Sequence, residues 1–351
     1  MRKKITVIGA GRVGETTAHI LAERALGDIV LVDIVPKMAE GKALDLMELR
    51  PISGSDVNIV GTTEYEATKG SDIVVVTSGM PRKPGESRED LLKKNIAIVK
   101  SVVGEVKKAS PDALLMIVAN PLDTMTWVAR EITGWPRNRV FGMAGVLDTS
   151  RLRTFIAMEL GCSVKDVNAF VLGGHGDEMV PVVRYASVGA IPIEQLMPKE
   201  KIDAIVKRTR GAGGEIVKLL GFSAYFSPAA AVADMVQSVV RDEKRVLPCS
   251  ARLEGEYGGK DIYLGVPVML GANGMEKIFE VELSAEEKEM LAASISVACT
   301  SGWLARSFVM RSAPRSRISL ALISSPLASA GSDTSKIFSM PPAPSMTGTP
   351  R

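Results

Sequence analysis

KITVIGAGRVGETTAHILAERALGDIVLVD, residues 4–33, reads as a strand, a glycine-rich turn, a helix and a second strand. The first strand runs directly into Gly9-Ala10-Gly11-Arg12-Val13-Gly14, which is GxGxxG at the opening of a helix. In that context the first glycine permits the tight turn, the second lets the backbone approach a pyrophosphate, and the third allows close packing of helix on strand. Phosphate charge then faces the helix N-terminus. Asp33 closes the second strand, nineteen residues after Gly14, where a carboxylate can bind both ribose hydroxyls and repel a 2′-phosphate. The combination points to NAD rather than NADP.

Outward from this unit, the first 145 residues continue the alternation. A helix near Lys37 to Leu49 is followed by DVNIV, DIVVVTS and LLMIVAN, with helical patterns between them. Continuous apolar strands bounded by Gly, Asp and Asn suit a parallel sheet buried on both faces. The fold class expected is therefore α/β: a Rossmann-type doubly wound parallel sheet over residues 1–145. From 146 to 293 the pattern becomes mixed. RLRTFIAMELG reads as an amphipathic helix, a strand runs into Gly173, helical segments span Lys199 to Val240, and RVLPCSARL and YLGVPVMLG read as strands. This is expected to be an α+β substrate domain. Ser284 with Glu287 forms a capping box for a last helix. Residues 294–351 contain fourteen Ser and six Pro but one acidic residue, with no clear period of 3.6 or 2. They are expected to form a disordered tail, or to be the product of a shifted reading frame.

The net charge of +3 in 351 residues is misleading, because the excess of cations sits in that tail and the main body is slightly acidic. Such a body offers no basic field for nucleic acid. Cys162, Cys249 and Cys299 are scattered and lack any CxxC spacing, so neither a disulfide framework nor a zinc site is indicated. The apolar run after the first lysines is too short for an export signal, and no stretch is long enough to span a bilayer. A cytoplasmic protein without a membrane partner or a metal is the expectation.

The sequence has just two histidines, the usual proton carriers near neutrality, and of these His19 falls in the helix behind the glycine turn. His175 lies in LGGHGDEMVP, between glycines at a strand end, where ligand and backbone can approach closely. Asp148 and Arg151 occur in LDTSR, three residues apart on one helix face. Asp148 could fix one ring nitrogen of His175, and Arg151 could grip a carboxylate in a two-pronged bond. GMPRKPGESRED, residues 79–90, places Arg82, Lys83 and Arg88 among glycines and prolines and reads as a lid over an anion. LLMIVAN delivers Asn120 to the C-terminal edge of the sheet, where it could bond the substrate or the cofactor.

Together, GAGRVG, the Asp33 strand end, GMPRKPGESR, VANPLD, LDTSR and GGHGDEMVP resemble the lactate/malate dehydrogenase superfamily, and within it the malate dehydrogenases built on the lactate-dehydrogenase plan. The resemblance covers about residues 3–293. It implies His175 as proton acceptor paired with Asp148, Arg151 on the C1 carboxylate of a dicarboxylate, and Arg88 polarising the C2 oxygen as the loop closes. It also implies cofactor contacts from Gly9 to Gly14, Asp33, Asn95, Val118, Ala119 and Asn120, with Asn120 reaching the substrate too, and a homodimer or homotetramer. Arg82 is the implied substrate selector, since lactate-specific members carry glutamine there. An unpaired second guanidinium in a closed site costs about 2–5 kcal/mol, which favours malate and oxaloacetate over lactate and pyruvate. A lactate or other 2-hydroxy-monoacid dehydrogenase, and an NAD-binding protein without turnover, are the remaining readings of these residues.

Overall fold

The computed structural model describes residues 2–80 and 87–311, except for the side chains of Arg88, Trp303, Met310 and Arg311. The strands are β1 Lys4–Ile8, β2 Asp28–Val32, β3 Ile59–Thr62, β4 Ile73–Val76, β5 Leu114–Ile117, β6 Val140–Gly142, β7 Val167–Asn168, β8 Val171–Gly173, β9 Met179–Pro181, β10 Ser187–Val188, β11 Ile191–Pro192, β12 Arg245–Glu254, β13 Lys260–Gly271 and β14 Gly274–Ile278. The helices are α1 Arg12–Glu23, α2 Met38–Ser53, α3 Arg88–Ala109, α4 Leu122–Thr133, α5 Gly145–Leu160, α6 Lys199–Leu220, α7 Phe226–Val240 and α8 Ala285–Arg311.

In the main sheet β1 pairs in parallel with both β2 and β4, and the spatial order begins β3-β2-β1-β4-β5-β6. The direction of winding reverses between β1 and β4, so the loops after these two strands part and leave a crevice at their C-terminal ends. The side chains alternate as a two-sided sheet requires. Val75, Met116 and Phe141 enter one core together with α1, α2 and α7. Val74, Val76, Leu115 and Ile117 enter another together with α3 and α4. Burial on both faces accounts for the unbroken apolar strands in the sequence.

The sheet does not stop at β6. Ser250 of β12 pairs antiparallel with Gly142, and the order continues through β13 and β8 to β9. Residues 1–312 accordingly form one packed unit, with the parallel half joined to an antiparallel half. A separate small sheet, β11-β10-β7, lies beside a third apolar cluster around Leu152, Ile156 and Ile202.

The last helix departs from the irregular tail expected from residue 294 onward. Its capping box forms: Ser284 N–H donates to Glu287 Oε2 at 2.8 Å and Glu287 N–H to Ser284 Oγ at 3.1 Å. The helix then continues to Arg311. Its inward face is Leu291, Ser294, Ile295, Ala298, Leu304, Ala305 and Phe308, a helical spacing. Small and polar residues at several of these positions hide the period from a hydrophobicity reading. Residues 312–351 lie outside the described residues, and so does the rest of the tail expectation.

Candidate active site

Gly9 has φ +104°, and a Cβ there would lie 2.7 Å from Thr77 Oγ1, so no other residue fits the turn without strain. A Cβ on Gly14 would stand 1.7 Å from the Gly9 carbonyl oxygen, which fixes the close packing of α1 on the turn. Gly11 faces open space. Its backbone would leave room for a pyrophosphate at the N-terminus of α1. Asp33 Oδ2 accepts the Ala10 N–H at 2.6 Å and Oδ1 accepts the Val35 N–H at 2.9 Å. Each oxygen retains a lone pair for a ribose hydroxyl. The residues present therefore fit a dinucleotide. Val13 follows in the first turn of α1, and Arg12 is exposed, its guanidinium 3.6 Å from the Phe222 ring centroid. Lys42 braces the turn from α2, donating to the Ala10 carbonyl at 2.6 Å and pairing with Glu15.

Val118 and Ala119 extend β5, and Asn120 is exposed at its C-terminal end, before a cis peptide to Pro121. Asn95 is completely buried. Its Oδ1 accepts the Met80 N–H at 2.8 Å, and its amide donates to the Met80 and Asn120 carbonyls at 3.2 and 2.6 Å. The resemblance puts Asn95 at the cofactor; here it is a staple between the start of the 79–90 loop and the Asn120 strand end. Arg82 lies outside the described residues. Arg88 is the first residue of α3, whose N-cap is Ser87, its Oγ accepting the Asp90 N–H at 3.0 Å.

The three residues proposed for proton transfer and carboxylate binding come together. His175 Nδ1 lies 2.8 Å from Asp148 Oδ2, and Arg151 Nη1 donates to Asp148 Oδ1 at 3.0 Å. Asp148 is 1 % exposed, so one buried carboxylate positions both side chains. A carboxylate only accepts, so Nδ1 carries the hydrogen and Nε2 is left for a substrate. Burial disfavours the charged His175 ring, but the Asp148 carboxylate outweighs it and the net displacement of the pKa is upward from 6.5. The Arg151 Nε is buried without a hydrogen-bond partner. The guanidinium, fixed on one side by Asp148, is of the type that grips an incoming carboxylate with two N–H groups.

Two further residues hold the same loop and a third fixes one of them, and sequence reading did not single them out. Asp123, on α4, faces the His175 main chain, its Oδ2 3.5 Å from the His175 N–H, and its Oδ1 accepts the Ser250 hydroxyl at 2.6 Å. Ser294, on α8, accepts the Gly174 N–H at 2.8 Å. Asp123 ends the VANPLD motif, three residues after Asn120, which was the available signal; the two serines gave none. Behind the loop lies a cavity of about 580 Å³, lined by Leu92, Trp127, Tyr263, Val297, Ser301 and Gly302 among others. Among the described residues no group of three or more His, Cys, Asp or Glu is placed to hold a metal ion.

Residues 3–142 match the family described as lactate/malate dehydrogenase, NAD binding domain, and residues 145–298 match lactate/malate dehydrogenase, alpha/beta C-terminal domain. Malate dehydrogenase of Anoxybacillus flavithermus is 57 % identical over 297 residues, covering 84 % of this chain and 95 % of that protein. The Roseiflexus sp. (strain RS-1) malate dehydrogenase is 54 % identical over 302 residues, 86 % of this chain and 98 % of that one. Among solved structures, apo malate dehydrogenase from Picrophilus torridus superposes with a TM-score of 0.87 at 47 % identity, covering 89 % of this chain and 99 % of that one. The Cryptosporidium parvum lactate dehydrogenase complexed with lactic acid and NAD gives 0.84 at 42 % identity, covering 90 % and 99 %. With both domain models matched end to end over most of its length, the chain belongs to the lactate/malate dehydrogenase family.

Proposed function

We propose that the chain is an NAD-dependent malate dehydrogenase that interconverts (S)-malate and oxaloacetate. The observation that carries this reading is the Asp148 carboxylate, which fixes a proton carrier and a carboxylate fork in one buried geometry. The names of the relatives support malate over lactate. Bound NAD supplies the acceptor for the hydride leaving C2. Gly11 and the N-terminus of α1 would hold its pyrophosphate, and Asp33 would select against a 2′-phosphate.

Arg151 orients the C1 carboxylate, so the C2 hydroxyl meets His175 Nε2. In malate oxidation neutral His175 removes the hydroxyl proton, and the resulting imidazolium is stabilised by Asp148. In the reverse direction protonated His175 returns it. Arg82 and Arg88 are assigned by resemblance to the second carboxylate and the C2 oxygen, and Asn120 to the substrate and the cofactor.

The first test is loss of NADH absorbance with oxaloacetate and pyruvate side by side. A clear preference for oxaloacetate is expected, and Arg82→Gln should move it toward pyruvate. Preference for pyruvate would replace malate by a monoacid. Tight NADH binding with neither substrate consumed would favour a protein without turnover.

A homodimer or homotetramer in the cytoplasm completes the reading. Exposed apolar side chains at Ile34, Leu44 and Ile52, on and beside α2, support self-association. Light scattering decides it, and a monomer at micromolar concentration would refute it. No helix of the described residues is long and apolar enough to cross a membrane.

A further inference from the structure

We infer that Asp123 is a positioning residue for His175, acting on the main chain of the loop while Asp148 acts on the ring. The inference rests on the reading of His175 as the proton carrier.

Two carboxylates bracket the histidine, by different routes. Asp148 meets the ring at Nδ1, while Asp123 faces the backbone N–H of the same residue. Asp123 is itself fixed: Ser250, from β12 at the seam between the two halves of the sheet, donates to its other oxygen at 2.6 Å. Ser294 secures the preceding amide, that of Gly174. His175 is thus carried by a peptide segment held from α4, β12 and α8, whereas its ring is held from α5. The glycines beside it explain why such bracing is needed, because Gly173 and Gly176 at φ +84° and +144° leave the loop little conformational preference of its own.

A neutral side chain could brace an amide equally well, so the choice of a carboxylate needs its own account. The burial of Asp123 pushes its carboxyl up to about 6, against the pull of Ser250 and His175. A charge kept under that penalty beside a histidine favours the imidazolium. Among the described residues the charged groups that bear on the His175 ring are Asp148 and Arg151 from α5 and Asp123 from α4, and Asp177 and Glu178 follow it in its own loop. Glu89 of α3 and Asp261 of β13 line the same cavity, Glu89 paired with Lys93 and Asp261 with Arg252 and Arg306. β12 and α8 contribute the neutral hydroxyls of Ser250 and Ser294. Of the two carboxylates that bear on the histidine, Asp148 is shared with Arg151, so Asp123 adds a charge that the guanidinium does not hold.

The chain has two histidines, which makes a direct test practical. A heteronuclear NMR titration of the imidazole rings gives two curves, and His19→Gln assigns them. In Asp123→Asn, which keeps the shape and an acceptor oxygen, the His175 midpoint should move to lower pH while that of His19 stays. The alkaline limb of kcat/KM for oxaloacetate reduction should move with it. The kcat should fall about tenfold with NADH affinity retained.

An unchanged His175 midpoint together with an unchanged limb overturns the inference. If Asp123→Asn does not fold, Ser250→Ala takes its place, because loss of the hydroxyl donor weakens the Asp123 charge and should move the His175 midpoint in the same direction. His175→Asn tests the underlying reading separately. Turnover surviving that substitution would remove the proton-carrier role, whereas the NMR midpoints would still judge the contact.

Discussion

One carboxylate, Asp148, sets the geometry of both His175 and Arg151, and replacing it by asparagine makes a definite prediction. The amide can present its NH2 to Nδ1 and so favour the wrong tautomer, while it loses the charge that stabilises the imidazolium. A loss of roughly 10²–10⁴-fold in kcat is expected, with NADH affinity preserved, measured by steady-state kinetics and fluorescence titration. The raised pKa of His175 fixes a sign. Oxaloacetate reduction needs the protonated ring, so its kcat/KM should hold at low pH and fall as pH rises through a value above 6.5. Malate oxidation needs the neutral ring and should rise over the same interval; identical limbs in both directions would exclude His175 as the carrier. The elevation also favours the folded state below 6.5, and that contribution fades as pH climbs through the folded value. Asp148, Arg151 and His175 were legible because two of them share one helical turn and the third stands among glycines. Ser250 and Ser294 were not, since each bonds a partner more than a hundred residues away along the chain, Ser250 to Asp123 and Ser294 to Gly174.

Among the elements, α8 is the one whose sequence conceals its role. A period drawn by Leu291, Ile295 and Leu304 is diluted by Ser294, Ala298, Ser301 and Gly302 on or near the same face, and the cavity of about 580 Å³ lies against these small residues. A Cβ on Gly302 would meet nothing within 4 Å. Gly302→Ala is therefore expected to stabilise the protein by about 1 kcal/mol through helix propensity alone, read from the denaturant midpoint at constant slope. Destabilisation would mean that the helix is not populated there in solution. The β-α alternation of the first half was readable for the opposite reason: its strands are buried on both faces, so nearly every residue announces itself.

At the scale of the molecule, the division into a parallel and an antiparallel half does not interrupt the sheet. The seam at Gly142 and Ser250 is a backbone pairing, and Ser250 also binds Asp123. Heat should therefore unfold residues 1–312 in one cooperative transition, with equal calorimetric and van't Hoff enthalpies per folding unit; two resolved peaks would mean that the halves melt independently. The sequence signalled the halves through a change of pattern near residue 146, but a pairing between strands a hundred residues apart leaves no local trace. The bond between Ser294 and Gly174 has a consequence for synthesis. In a chain emerging from the ribosome Asp123, Asp148 and Ser250 are all made before α8, but the Gly174 N–H gains its partner only when α8 has been made. The loop that bears His175 therefore acquires its last brace late in synthesis, with the last helix.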